Sequence, residues 1–241
     1  MAMTQPDGLA PRVAAVRAAM AAAADRVGRN PADIALLPVS KTRPADLVAE
    51  AARTSGLLLF GENRPQELAA KAAQLAGLGL GWVLIGPLQT NKAGLAAQWA
   101  DQFQALDSLK VAQALDRRLQ TIGRSLDVLI EVNTSNEASK HGVPPSQAAE
   151  LARGLAVYTA LRPIGLMTVA ANTSDQKVVR GCFAQLRQVQ TQLRDIGGSW
   201  DELSMGMSSD YQIAIEEGST MVRIGQALFG PRASVSPAGG N

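Results

Sequence analysis

Cysteine, histidine and aromatic residues are all scarce in this sequence. Among 241 residues there is one cysteine, Cys182, and one histidine, His141. A single thiol excludes an internal disulfide, which fits a reducing compartment. One histidine without a cysteine pair supplies too few ligands for a zinc or iron centre. It also leaves a serine or cysteine triad unsupported, since no nucleophile-elbow motif accompanies it. Cys182 falls in a helical pattern with Val179, Phe183, Leu186, Val189 and Leu193 and reads as a small buried apolar side chain. Aromatics make up only 4% of the chain while alanine is abundant, so the helices should pack through small side chains. An excess of either charge is lacking too. The formal net charge is +2 and the basic residues are dispersed, which gives nucleic acid no stripe to follow. No apolar run is long enough for a membrane span. Residues 1–8 lack the basic-then-apolar order of a secretory signal. The expectation is a cytoplasmic protein that uses neither nucleic acid nor membrane as a partner.

What remains is an ordinary globular composition, 46% hydrophobic and 18% charged, at a length that suits one barrel of about 250 residues. An amphipathic first helix is marked by Leu9, Val13, Val16, Met20 and Val27. Short β-rich apolar runs then recur along the chain: Ile34–Val39, Leu57–Phe60, Trp82–Ile85, Phe103–Leu106, Val128–Val132, Arg162–Met167, Glu202–Met205 and Met221–Ile224. Helical segments separate them, several opened by proline at Pro44, Pro65 and Pro144-Pro145. Apolar strands alternating with helices indicate a parallel sheet covered on its outer face. Eight of them favour a closed barrel over an open doubly wound sheet, and no G-x-G-x-x-G follows the first strand. The predicted fold is an α/β single (β/α)8 TIM barrel over residues 9–232 with an extra N-terminal helix. Residues 1–8 and 233–241 are expected to be flexible.

Barrel sites assemble at the C-terminal ends of the strands. Lys41 stands out there because it follows an apolar strand, so its stem should point into the mouth. A partly desolvated amine near other cations loses its proton more readily, as a Schiff-base lysine must. A lysine merely snorkelling at a strand end is the alternative. Across the barrel, Ser204-Met205-Gly206-Met207-Ser208 and Arg223-Ile224-Gly225-Gln226 end strands seven and eight. Loops there often form a phosphate site from backbone N–H groups, hydroxyls and glycines. A lysine on strand one opposite a phosphate cradle suits a phosphorylated aldehyde cofactor.

Several motifs resemble one family. They are Val39-Ser40-Lys41-Thr42, Phe60-Gly61-Glu62-Asn63, Ile85-Gly86-Pro87-Leu88-Gln89-Thr90-Asn91-Lys92, Ser139-Lys140-His141-Gly142, Gly165-Leu166-Met167, Ser204 to Ser208 and Thr220 to Gly225. In this order they look like the signatures of the pyridoxal phosphate homeostasis proteins, relatives of the N-terminal barrel of alanine racemase. The resemblance implies a cytoplasmic monomer that carries pyridoxal 5'-phosphate as a Schiff base on Lys41 and serves apo-enzymes as transient partners. It implies Arg223 at the pyridine nitrogen and Asn63 and Met207 along the ring. Ser204, Ser208, Gly225 and the backbone of Gln226 would hold the phosphate. Two positions depart from the family pattern. Val83 stands where a histidine is usual, and Gln226 replaces a hydroxyl residue, so its backbone N–H stays available to the phosphate but no hydroxyl does.

An arginine beside the ring nitrogen keeps it unprotonated and weakens the electron sink, which argues against transaminase or decarboxylase chemistry. Racemisation tolerates a weak sink but needs a base on each face of the substrate carbon, so the favoured reading is a carrier without significant turnover. A low-efficiency amino-acid racemase working from Lys41 is the enzymatic alternative. A cofactor-free barrel that binds sugar phosphates through Lys41 and Arg223 is another. Racemases of this type take a tyrosine from a second domain, for which the sequence shows no segment. Tyr158 and Tyr211 fall on predicted helices. Lys140 and Lys92 are the other lysines near the mouth, and Lys140 is expected to be solvent-exposed, a transient second site during exchange.

Overall fold

The structure is a computed structural model that describes residues 8–137 and 139–230. Residues 1–7 and 231–241, which include nearly all of the expected flexible ends, lie outside the described residues. Eight parallel strands appear in the order β1-β8-β7-β6-β5-β4-β3-β2. They are β1 (Ala35–Pro38), β2 (Leu59–Glu62), β3 (Gly81–Leu84), β4 (Gln102–Leu106), β5 (Leu126–Glu131), β6 (Leu161–Met167), β7 (Glu202–Ser204) and β8 (Met221–Ile224). A parallel bridge between Val39 and Gly61 links β1 to β2 and completes the (β/α)8 TIM barrel. All eight strands coincide with apolar runs read from the sequence. The second run is displaced: Leu58 is 59% exposed, so the strand begins at Leu59 and takes in Gly61 and Glu62.

Helices cover the barrel: α1 (Leu9–Asp25), α2 (Ala45–Ser55), α3 (Pro65–Gln74), α4 (Ala93–Trp99), α5 (Leu109–Thr121), α6 (Ala148–Gly154), α7 (Gln176–Leu193), α8 (Tyr211–Glu216) and α9 (Gln226–Phe229). Pro65 opens α3, and Pro44 caps α2, where a missing N–H costs nothing. The extra helix α1 buries Leu9, Val13, Val16 and Met20 against α2, α8 and α9. Val27 lies past its end and is exposed, so the apolar stripe stops one turn earlier than its spacing suggests. Cys182 is buried on α7, as its helical pattern predicts. No described helix is long and apolar enough to cross a membrane.

The main apolar core lies between the strands and the helices. Inside the barrel, Leu37, Val83 and Met221 form a second, smaller apolar cluster with Leu59 and Ile85. Val83 is fully buried there, so the position that departs from the family pattern contributes apolar filling. Beside it the interior turns polar. Gln104 Nε2 donates to Gln102 Oε1 at 2.6 Å, and Ser204 Oγ donates to Gln104 Oε1 at 2.7 Å. Buried polar groups need such partners, because each one left unpaired costs roughly 1–3 kcal/mol. The chain of side chains leads from β4 through β7 to Arg223 on β8.

Candidate functional site

Arg223 is held from below and is 4% exposed. Its Nη1 donates to the carbonyl of Ser204 at 2.7 Å and to Ser204 Oγ at 2.8 Å, while Nη2 donates to the carbonyl of Thr168 at 2.7 Å. Burial pulls its guanidinium down to about 10, opposed by the charges of Glu131 and Asp210. Glu131, at the end of β5, is pushed up to about 7 by burial, opposed by Arg223 and reinforced by Asp107. Asp210 is raised by burial and lowered by the N–H of Met207, which it accepts at 2.6 Å. That bond fixes the turn after β7. The turn also needs Gly206, at φ 98°, since a Cβ would come within 2.6 Å of Ala214 Cβ.

A cavity of about 620 Å³ opens at the C-terminal mouth, within the usual range for small-molecule sites. Lys41, Met207, Ser208, Arg223, Gly225 and Gln226 all line it, so six of the eight predicted site residues meet there. The other two do not. Ser204 is fully buried beneath Arg223 with its hydroxyl committed to Gln104 and Arg223, which sets it under the cavity as a support rather than on its wall. Asn63 is half-buried past β2, its backbone pressed against Gly86, where a Cβ would lie 2.2 Å from the Asn63 oxygen. Gly225 caps α9 and Gln226 starts it, while Ser208 Oγ accepts from the N–H of Ala227 at 3.4 Å.

The lining also includes Val39 and Ile85, which lie in the motifs without being expected at the site, Ser209 in the hydroxyl-bearing turn after β7, and Arg43 and Asn172, which no sequence signal marks. Arg43 follows Lys41 by two residues, and its Nη2 reaches the carbonyl of Gly230 at 2.5 Å. Asn172 lies in an irregular segment after β6 that carries no motif. The same segment helps form an adjoining cavity of about 340 Å³ with Lys140, Met207 and Asp210.

Lys140 corrects the expectation of a solvent-exposed side chain. It is 20% exposed, pairs with Glu137 at 2.9 Å and donates to the carbonyl of Ala170 at 2.7 Å. Asn133 makes this possible: its Oδ1 accepts from the N–H of Ser135 at 3.2 Å and its Nδ2 donates to the carbonyl of Glu137 at 3.0 Å. The loop is thereby folded onto the barrel. His141 beside it is exposed, and Lys92 sits half-buried in a 3-10 turn. Tyr211 opens α8 as predicted, whereas Tyr158 follows the 3-10 turn Leu155–Val157 instead of lying within a helix.

A closed parallel barrel with a lysine after β1 and an arginine on β8 at one mouth defines the class, and the family described as alanine racemase, N-terminal domain, matches residues 12–233. The pyridoxal phosphate homeostasis protein of Pseudomonas aeruginosa is 43% identical over 230 residues, spanning 95% of this chain and 98% of that protein. Its counterpart in Escherichia coli K12 is 41% identical, over 93% and 97% of the two chains. The structure of PipY from Synechococcus elongatus with PLP bound aligns at a TM-score of 0.78 with 35% identity, covering 92% of this chain and all of that one. Alanine racemase from Streptomyces lavendulae, 19% identical, shares the fold at a TM-score of 0.71 over 94% of this chain and 58% of its own. The chain belongs to the pyridoxal phosphate homeostasis protein family.

Proposed function

We propose that this protein binds pyridoxal 5'-phosphate at the barrel mouth through Lys41 and holds it in reserve for apo-enzymes, without significant turnover of its own. The observation that carries this reading is Lys41 and Arg223 on one cavity together with the polar groups that follow β7 and β8. Bound there, pyridoxal phosphate supplies an aldehyde that condenses with a primary amine to an imine. Lys41 provides the amine from the end of β1. Ser208, Ser209, Arg43 and the backbone at Gly225 and Gln226 offer the hydroxyl, guanidinium and N–H donors that a phosphate accepts. Gln226 has no hydroxyl to add, and the missing bond is worth about 0.5–1.5 kcal/mol, so affinity falls modestly.

Arg223 favours storage over chemistry. An arginine only donates, so a ring nitrogen facing it stays unprotonated and withdraws electrons weakly. The described residues that line the cavity include no carboxylate, histidine or tyrosine to act as a second base, and Asp210 in the adjoining cavity is engaged by the N–H of Met207. A racemase needs one on each face of the carbon it inverts. The homeostasis role named for the relatives and the ligand bound by PipY support the cofactor assignment. A cytoplasmic monomer is part of the same proposal.

The test is borohydride reduction of protein loaded with pyridoxal phosphate, followed by peptide mapping. The label should sit on Lys41, and Lys41→Ala should remove both the label and the visible absorbance band while the protein stays folded. Label that maps to Lys140 or Lys92 in the unmodified protein would overturn the assignment.

A further inference from the structure

The backbone on both sides of Lys41 is tied to one ion cluster, buried at Lys71 and Glu62 and partly exposed at Glu67. Lys71, on α3 and 6% exposed, donates to the carbonyl of Ser40 at 2.7 Å, to Glu62 Oε1 at 2.6 Å and to Glu67 Oε1 at 2.8 Å. Ser40 Oγ donates to the same oxygen of Glu62 at 2.7 Å. The N–H of Thr42 donates to Glu67 Oε1 at 2.6 Å. Ser40 is therefore held by Lys71 and Glu62 and Thr42 by Glu67, and Lys71 joins the two carboxylates into one cluster with Lys41 lying between the residues it holds. Thr42 adopts φ 64°, a left-handed conformation that a non-glycine residue holds only when its surroundings impose it.

Stability alone is a poor explanation for such a cluster. A buried ion pair is often replaced by apolar side chains without loss. Here the pair spends its hydrogen bonds on a loop, and Glu62 Oε2 has no partner among the described residues. An ammonium has three donors, and all three of Lys71 are matched by acceptors. A buried amine with no donor to spare is poorly placed to compete with Lys41 for an aldehyde.

We infer that Glu62, Glu67 and Lys71 are positioning residues: they preset the Lys41 backbone so that its amine meets the aldehyde, and they keep the Lys71 amine out of that reaction. This inference rests on Lys41 being the attachment point. Presetting matters because a loop ordered before binding spares the capture step the entropy of ordering it.

The experiment compares two ligands on the apo-protein and its variants. Pyridoxal 5'-phosphate and pyridoxamine 5'-phosphate share ring and phosphate, but only the first has an aldehyde for Lys41. Glu67 is partly exposed, so Glu67→Ala frees Thr42 while leaving the Glu62–Lys71 pair in place. It should slow capture of pyridoxal phosphate in stopped-flow absorbance about tenfold, the equivalent of unpinning one residue. Its affinity for pyridoxamine phosphate by calorimetry should not change. Glu67→Gln, which keeps an acceptor for Thr42, should restore most of the rate. Lys71→Met should show the same split between ligands, and if it fails to fold, the Glu67 pair still decides. Parallel weakening of both ligands, or no change in either, would overturn the positioning role. Unmodified protein that captures neither ligand would instead overturn the cofactor reading, and the positioning role with it.

Discussion

Arg223 and Glu131 set the electrostatic balance of the mouth, and they do so as buried charges of opposite sign. Glu131 is 7% exposed and titrates near 7 instead of 4.5 because burial outweighs the attraction of Arg223. A folded-state value raised above the ordinary one means that protonation favours folding. The resulting stability is complete below 4.5 and is lost as pH rises through 7. The full effect is about 3 kcal/mol at most. Glu131→Gln carries no such titration, so its stability relative to the unmodified protein should rise between pH 5 and pH 8. Urea denaturation at the two pH values measures this, and a difference that does not change with pH would contradict the assignment. Ser204 belongs to the same scale. Its sequence position beside Gly206 suggests a phosphate donor, but its side chain points under Arg223, where two hydrogen bonds occupy its hydroxyl. Which face of β7 carries Ser204 depends on the barrel's interior alternation, and a three-residue strand is too short to display it in the sequence.

At the scale of elements, glycine separates the positions that the site requires from those that it does not. Gly206 turns the chain after β7 at φ 98° with no room for a methyl group, so Gly206→Ala should destabilise the fold by about 2–4 kcal/mol. It should also weaken cofactor binding, since Met207 and Ser208 follow directly. Gly181 lies exposed inside α7, and a methyl group added there would meet nothing within 4 Å. Gly181→Ala should therefore stabilise the protein by about 0.5–1 kcal/mol. Thermal melts of the two variants test the contrast directly. The strands themselves are readable because apolar runs bounded by proline-capped helices signal a parallel barrel, and Lys41, Met207, Ser208, Arg223, Gly225 and Gln226 follow from where those runs stop. The second run starts two residues before its strand because Leu57 and Leu58 extend it while Leu58 faces solvent. The interior polar chain from Gln102 to Arg223 is hidden in the sequence, since glutamines on a strand look like a solvent face. Asn172 and the folded-back Lys140 are hidden because their positions depend on contacts such as Lys140 with Ala170, 30 residues apart in sequence.

At the scale of the whole molecule, the mouth combines a firm anchor with a lightly built cradle. Arg223 is fixed through β7 and β6, and Lys41 stands at the strand whose Val39–Gly61 bridge closes the barrel. The cavity walls beyond them are mostly loops and short turns: residues 207–209 after β7, Asn172 after β6, and the four-residue helix α9. Such segments open locally at lower free energy than the strands beneath them, so a ligand can leave without unfolding the barrel. A store needs that property, whereas a racemase needs a second base opposite Lys41. Incubation of cofactor-loaded protein with L-alanine should therefore give no saturable racemisation at the rates usual for enzymes, about 1 to 10³ per second. The same protein mixed with an apo-transaminase should restore that enzyme's activity on a timescale set by cofactor release. Chiral chromatography and the reactivation assay read the two outcomes separately. Fast, saturable racemisation that disappears in Lys41→Ala would replace the carrier with a racemase, and it would call for a second proton-transfer group from outside the cavity lining, such as Asp210 in the adjoining cavity.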